Sequence, residues 1–533
     1  MGKMVSIKDV LRGLFHAEES RLRTVLNKWR LLFLGFALVY TLILLFNLTK
    51  TPIQWDEVSH LNGGSLLYFG FYGKFVGNAF YPPLFDALTF ISFKVFGISL
   101  FTGRLFSVVF AILSLWAVFE LAHYMYDGKV ALLSAVMLGL MPGFFWLSGC
   151  ALLETALMFF VMVSLLCFYR WLTVHQDRML VLSGLALGLG FLVKYQMLIA
   201  GVIMLLSIFL LARKQLKFAF KNFSLTIATA VVVVIPWVAI AYQVYKNALL
   251  DQWLYALQVG NPARSVYSTR FPVPLFYFIE MVWPYSDFHP ISVFLYVLGL
   301  AGLVLMVWRH RREDKFILLW FAVIFVFFTF ISNREWRYVT PLFPVLAISA
   351  STAILTLGGA LRNVQKKSGS VGRKRLVKAA SVVLVVAVAG AMFYSVYDTY
   401  SFISRQHITV DIKGATNYAF TNMAANKSIM VMCPFNIFNQ NVVQFYLWEK
   451  GDRDIEVFQY PFLPVDAYTP NFDITEFIEQ CRQYNVQYVF IYEYGDVVPY
   501  YAQLCDSGNF THITDEQTFG VNPQRIFILN FTG

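Results

Sequence analysis

Residues 55–64 read WDEVSHLNGG. Two adjacent carboxylates, Asp56 and Glu57, are followed at helical spacing by His60 and then by Gly63 and Gly64. If Asp56 opens a helix, Asp56, His60 and one of the two glycines fall on one side, and Glu57 points about a quarter turn away. A carboxylate beside a glycine patch suits a general base that a bulky substrate must approach closely. The same two acids would also cap a helix and stabilise its dipole, and spacing alone leaves both readings open. Further chemistry-bearing residues follow inside or beside apolar runs: Arg104 in LFTGRLFS, Glu154 in CALLETALMFF, Lys194 in FLVKYQ, Arg264 and Arg270 in NPARSVYSTRFP, Asp287 and His289, and Arg334 and Arg337 in SNREWRYVTPLFP. Arginine suits bidentate phosphate contacts and lysine acts as a point charge, although anchoring to lipid phosphates accounts for any one of them. A charge held near or within a bilayer is expensive and usually functional. His60 and His289 could ligate a metal, but a single histidine more often only hydrogen-bonds.

These residues sit in a chain of 533 residues that is 58% hydrophobic, 18% aromatic and 14% charged. Soluble domains carry roughly 25% charged residues, so the composition is that of a polytopic α-helical membrane protein. The net charge of +11 does not point to nucleic acid, because the excess sits in short loops between apolar runs, while residues 398–533 hold 7 basic and 15 acidic residues. Walker, dinucleotide-glycine, HExxH and CxxC signatures are absent, which leaves nucleotide hydrolysis and ordinary zinc chemistry without support. Cys433, Cys481 and Cys505 in the tail could form a disulfide whose pairing the sequence does not assign.

The elements that position the charges are apolar helices. A span needs about 20 apolar residues, and eleven runs qualify, near 31–48, 103–123, 130–147, 151–169, 179–193, 196–212, 223–244, 291–308, 316–331, 338–358 and 379–397. The run from Pro83 to Phe96 is short and contains Asp86 and Lys94, so it is expected to lie on the membrane. Seven Lys or Arg precede the first run and no small-residue cleavage site follows, which predicts a retained helix rather than a signal peptide. With eleven spans, the N-terminus and loops 124–129, 170–178, 213–222, 309–315 and 359–378 share one side and hold 25 basic residues. That side is expected to be cytoplasmic. The expected domains are a basic cytoplasmic segment 1–30, a membrane domain 31–397 with its first external loop at 49–102, and an extracytoplasmic α/β domain 398–533. In that last domain SIMVMCPF and VQYVFIYE read as strands, and NVVQFYLWEK and ITEFIEQCRQY as helices. On this topology WDEVSHLNGG, Glu154, Lys194, Asp287, His289, Arg334 and Arg337 all approach the outer face, which predicts a shared cavity there.

In order and spacing, WDEVSHLNGG, then YPPL, then GRLFSVVFAILSLWAVFELAHYMYDGKVALLSAVMLGLMPGF, LLETALMFF, GLALGLGFLVKYQ and NREWRYVTPLFPVLA resemble the protein O-mannosyltransferase and aminoarabinose lipid A transferase group. These are polyprenyl-phosphate-sugar-dependent enzymes of the GT-C superfamily. The resemblance covers roughly residues 30–345 and implies a GT-C fold with a catalytic acid in the first external loop, matched by Asp56 of the Asp-Glu pair. It further implies a membrane-parallel helix at YPPL, an arginine at the head of the second span matched by Arg104, and an acidic position matched by Glu154. Tyr81 stands where the mannosyltransferases often have His, and the charged pair of the lipid A enzymes is missing. No segment is long enough for the β-trefoil insertion of the mannosyltransferases, which disfavours protein O-mannosylation.

The expected function is inverting transfer of a sugar from a polyprenyl (dolichyl or undecaprenyl) phosphate donor to a hydroxyl on a lipid, glycan or protein at the extracytoplasmic face. Asp56 is the expected base, with Glu57 in the catalytic pair. His60, Tyr81, Arg104, Glu154, Lys194, Arg264, Arg270 and Arg337 are the expected substrate-binding residues. No obligatory metal is expected because protein cations can neutralise a leaving monophosphate, although clustered carboxylates could take a divalent cation. The alternative is a flippase or transporter of lipid-linked sugars, against which stand the absence of a convincing internal repeat and the clustering of charges at one face.

Overall fold

The structure is a computed structural model, and it describes residues 27–77, 82–246, 271–283, 289–331, 334–368, 370–405, 410–432, 437–451, 454–460, 473–492, 498–513, 519–521 and 524–533. Tyr81, Arg264, Arg270, Asp287 and Cys433 lie outside the described residues.

Each of the eleven apolar runs falls on helix. Among the described residues six helices are long and apolar enough to cross a membrane: Lys28–Asn47, Leu100–Met125, Glu154–Val174, Arg213–Tyr245, Trp336–Lys367 and Val371–Arg405. The run expected at 130–147 is a pair, Gly128–Gly139 and Pro142–Ser148, bent by 71°. Pro142 has no N–H to continue the preceding helix and instead starts the next one, which localises the bend. The other runs are the shorter helices Asp177–Val193, Tyr195–Leu211 and Val293–Arg309, together with Arg312–Phe330, whose first turn is charged. Small residues let the bundle close. Ser349 Oγ donates to Gly299 O at 2.8 Å, and a Cβ on Gly302 would stand 2.0 Å from the Ser349 carbonyl oxygen.

Among the described residues three helices lie in the loop after the first span, the short Tyr72–Gly77 between two longer ones. Trp55–Phe69 carries Asp56 and Glu57 in its first turn, and the Glu57 carboxylate reaches back to accept from the Gln54 backbone N–H at 3.2 Å. Gly70, at φ 80°, ends that helix in the left-handed conformation that glycine adopts without a Cβ penalty. Leu84–Phe96 follows Pro83 and ends at Gly97. It is a 13-residue helix, too short to span, as its Asp86 and Lys94 suggest. The glycine patch has a different use from the one the sequence suggested. A Cβ on Gly63 would lie 2.3 Å from Asp86 Oδ2 and one on Gly64 2.7 Å from Thr89 Cγ2, so the two glycines admit the Leu84–Phe96 helix rather than a substrate.

The expected boundary at residue 398 falls inside the Val371–Arg405 helix. After it come the helix Ile412–Asn422 and a six-stranded sheet. Its strands are β1 (Ser428–Met432), β2 (Val457–Tyr460), β3 (Val486–Tyr492), β4 (Phe510–His512), β5 (Phe519–Val521) and β6 (Gln524–Phe531). The order is β2-β1-β3-β6-β4, with β5 also on β6. β1 pairs in parallel with β2 and β3, and β6 runs antiparallel to β3, β4 and β5. Helices Gln440–Glu449 and Ile474–Gln483 follow β1 and β2, as parallel connections require, and all five residues of β1 are buried. The two expected strands and two expected helices are present; β2, β4, β5 and β6 are additional.

Replacing Gly302 with Val drives a side chain into the Ser349 backbone and is expected to cost about 1–3 kcal/mol of overpacking. The checking measurement is a thermal unfolding midpoint in detergent, which should fall relative to wild type.

Candidate functional site

Glu57 and Arg104 form the fixed part of the site. The Arg104 guanidinium donates to both Glu57 oxygens, Nε to Oε1 at 2.6 Å and Nη2 to Oε2 at 2.7 Å. Its Nη1 also donates to Leu48 O at 2.7 Å and to Thr51 O at 3.1 Å, and Nη2 donates to Pro52 O at 3.2 Å. The backbone N–H of Ala151 donates to Glu57 Oε1 at 2.7 Å. Both side chains are 0% exposed. A bidentate pair with its remaining donors satisfied by carbonyls is the arrangement in which a buried guanidinium stays charged at tolerable cost. The geometry therefore departs from the sequence expectation for these two residues. Neither offers an atom to a substrate, and together they tie the helix Trp55–Phe69 to the end of the first span and the head of the second.

Asp56 has the opposite environment. Its side chain is 46% exposed, and its Oδ2 accepts from Arg337 Nη2 at 2.7 Å. The same guanidinium binds Glu335 through both Nε and Nη2. The protein atoms around Asp56 withdraw it from water, which raises its pKa. The Arg337 charge and hydrogen bond outweigh that, with His60 and Lys194 adding to them, and the net shift is downward from the ordinary carboxylate value. Asp56 is thus an ionised carboxylate with an open side.

A second ion pair adjoins the first. Glu154, 3% exposed at the start of its span, accepts from Lys194 Nζ at 2.9 Å, and that ammonium lies 5.6 Å from the centre of the Tyr338 ring. Glu154 also interacts electrostatically with Arg337. Its other oxygen, Oε2, is buried without a hydrogen-bond partner, a costly state for a carboxylate oxygen and one that a ligand donor would relieve. Asp56, Arg337, Glu154 and Lys194 therefore form one cluster of alternating charge, drawn from the loop after the first span and from the ends of three apolar helices far apart in the chain.

His60 shares its helix with Asp56, as the spacing suggested, but its Nδ1 meets Asp86 Oδ1 at 2.8 Å across the helix–helix contact. Burial raises the Asp86 pKa and His60 only partly offsets it. Two other expected members point elsewhere: His289 Nδ1 pairs with Asp398 at 3.0 Å, and Arg334 Nε donates to Thr329 O at 3.0 Å. The charged cluster is thus assembled by fewer of the expected charges than the sequence suggested. Asp86 and Glu335 were not singled out from sequence. The signal for Asp86 was its charge within the apolar LFDALTF, and Glu335 was hidden between two arginines.

A sequence model of the Dolichyl-phosphate-mannose-protein mannosyltransferase family matches residues 81–240. Undecaprenyl phosphate-alpha-4-amino-4-deoxy-L-arabinose arabinosyl transferase 2 of Proteus mirabilis is 26% identical over 268 residues, covering 48% of this chain and 46% of that protein. The corresponding transferase of Erwinia tasmaniensis is 23% identical over 61% of this chain and 58% of its own length. The chain thus spans about half the length of the curated relatives it matches. Among solved structures, ArnT from Cupriavidus metallidurans bound to undecaprenyl phosphate superposes with a TM-score of 0.62 at 14% identity, over 94% of this chain and 98% of that one. The chain shares the fold of that transferase. The archaeal oligosaccharyltransferase AglB from Archaeoglobus fulgidus, in complex with an inhibitory peptide and a dolichol-phosphate, shares the GT-C fold at a TM-score of 0.54 and 14% identity, over 91% of this chain and 74% of that one. With this fold and six helices long and apolar enough to cross a membrane, it is an integral membrane protein.

Removing one partner of the buried pair leaves an uncompensated charge. Glu57→Ala is expected to destabilise the protein by about 3–5 kcal/mol, read as lost thermal stability, whereas Asp56→Asn, at the open position next to it, should leave the unfolding midpoint nearly unchanged.

Proposed function

We propose that this GT-C protein is a glycosyltransferase that moves a sugar from a polyprenyl-phosphate donor to a hydroxyl acceptor, with inversion, at the extracytoplasmic face. The observation that carries the reading is the half-open Asp56 carboxylate beside Arg337, next to the Glu154–Lys194 pair. The names of the relatives, which are undecaprenyl-phosphate sugar transferases and a dolichyl-phosphate-mannose family, support the donor class. The 25 basic residues in the loops expected on the opposite side support the orientation.

In this mechanism Asp56 accepts the proton of the acceptor hydroxyl. The hydroxyl oxygen forms a bond to the anomeric carbon on the face opposite the phosphate, and the bond from that carbon to the phosphate oxygen breaks. Arg337 and Lys194 neutralise the phosphate as it leaves, with Arg264 and Arg270 as further candidates. Glu154, through its unpartnered oxygen, accepts a hydrogen bond from a sugar hydroxyl. Arg104 and Glu57 position the helix that carries the base. The departing group is a monophosphate that protein cations can neutralise, so no metal is obligatory.

Asp56→Asn is expected to lower transfer of radiolabelled sugar from a panel of polyprenyl-phosphate sugars by about 10²–10⁴-fold, the usual range for a general base. Full activity in that variant would remove the proposed base. The pH dependence has a definite sign. Because the Asp56 pKa lies below the ordinary carboxylate value, the base is ionised throughout the neutral range, and the acid limb of kcat/KM lies below the range of an ordinary carboxylate. Arg337→Gln leaves burial unopposed by its main counter-charge, so in that variant the acid limb moves to higher pH. Treatment with EDTA leaves the wild-type rate unchanged.

A further inference from the structure

The C-terminal domain carries a cavity of about 420 Å³ at the edge of its sheet, remote in sequence from the charged cluster. It lies over β2, the terminal strand of the sheet order, between the helices Gln440–Glu449 and Ile474–Gln483. Its volume is that of an ordinary small-molecule site. Three aromatic side chains line it: Phe458, Tyr460 and Tyr484. Phe458 and Tyr484 stack on each other with centroids 4.1 Å apart and planes 19° from parallel, which fixes both rings as one rigid apolar wall.

The polar part of the lining is as selective as the apolar part. Among the described residues it consists of Gln440, Gln459, Gln480 and Glu476, with no lysine or arginine. Gln459 is 8% exposed and held by its Oε1, which accepts from the Gln440 backbone N–H at 3.3 Å. The Glu476 carboxylate accepts from the Tyr460 hydroxyl at 3.2 Å and from Gln480 Nε2 at 3.3 Å. Amides both donate and accept, and a carboxylate accepts, which matches a ligand whose hydroxyls do both. The lone carboxylate without a cation disfavours phosphates and other anions. A rigid aromatic wall with amides and a carboxylate around it suits a ring with one C–H face and a rim of hydroxyls.

We propose that this cavity is a binding site for an uncharged saccharide of one to three rings. Its placement gives it a relation to the charged cluster. Gln440 opens the helix whose Asn441 carbonyl accepts from Asn62 Nδ2 at 3.1 Å, and Asn62 lies on the same helix as Asp56. The saccharide site and the Asp56 helix are thus joined through one tail helix. The site is independent of the transfer chemistry, so its test reads binding rather than turnover.

The test is saturation-transfer NMR on the full chain in nanodiscs, free of glycosidic detergent, with methyl glucoside, methyl mannoside, methyl galactoside, cellobiose and chitobiose as neutral probes and glucose 6-phosphate and glucuronate as charged ones. Neutral probes should receive saturation from the wild type and equally from Asp56→Asn. The affinity should fall at least about tenfold, or 1.4 kcal/mol, in Tyr484→Ala and in Gln480→Ala, and should persist in Tyr484→Phe. Gln480 is only partly buried, so its variant keeps the proposal falsifiable if Tyr484→Ala does not fold. Absence of transfer to every neutral probe at millimolar concentration, a response confined to charged probes, or unchanged affinity in folded Gln480→Ala would each overturn the site. A wild type that binds saccharide but transfers no sugar would overturn the proposed enzyme and leave this site standing.

Discussion

A guanidinium with no exposed surface must have every lost water replaced, and Arg104 meets that demand with Glu57 and three backbone carbonyls of residues 48–52. Arginine does not shed its proton in a protein, so the pair cannot relax by neutralisation. The requirement fixes several elements at once. The end of the first span, the turn leading out of it, the helix Trp55–Phe69 and the head of the second span converge on one side chain. Ala151, contributed just before the Glu154 span, adds a third region through its bond to Glu57. The helix bearing Asp56 therefore has little freedom to rotate, because a rotation would strand a buried charge.

That restriction separates two neighbouring acids into different roles. Successive residues of a helix project about 100° apart, so when Glu57 turns inward to Arg104, Asp56 turns toward Arg337. One carboxylate is enclosed and fully bonded; the other is ionised and accessible. Around the accessible one the charges alternate: Arg337 is shared by Asp56 and Glu335, while Lys194 is bonded to Glu154. A cluster near neutrality is cheaper to hold at the end of a bundle than a block of one sign, and it can exchange partners when an anionic group enters.

The tail is part of this arrangement rather than an appendage. Its helix Gln440–Glu449 packs on both long helices of the first loop, with the Phe445 ring 6.5 Å from that of Phe93 on Leu84–Phe96 and the Trp448 ring 6.2 Å from that of Phe69 on Trp55–Phe69. The Asp56 helix is thus held between Arg104 on one side and the tail on another. A small α/β layer with its own buried strands supplies a rigid body for that contact.

Much of this protein is determined by its sequence alone. Runs of apolar residues must leave water, so the helices fall where hydropathy places them, and the charge within Leu84–Phe96 and its length keep that helix from spanning. Hairpin-free strands such as Ser428–Met432 and Val486–Tyr492 are legible because a strand buried on both faces is continuously apolar. The strand Gln524–Phe531 is not, since its pairing with β3 depends on residues far away in the chain. In the site, WDEVSHLNGG marked the helix and its acids, but periodicity gives only relative directions on a helix and never its absolute rotation. That rotation was decided by Arg104, 47 residues on. Likewise the space beside Gly63 is open in sequence and closed in the fold, because Asp86 occupies it. Local chemistry chose the elements; which face meets water was left to contacts between residues distant in the chain.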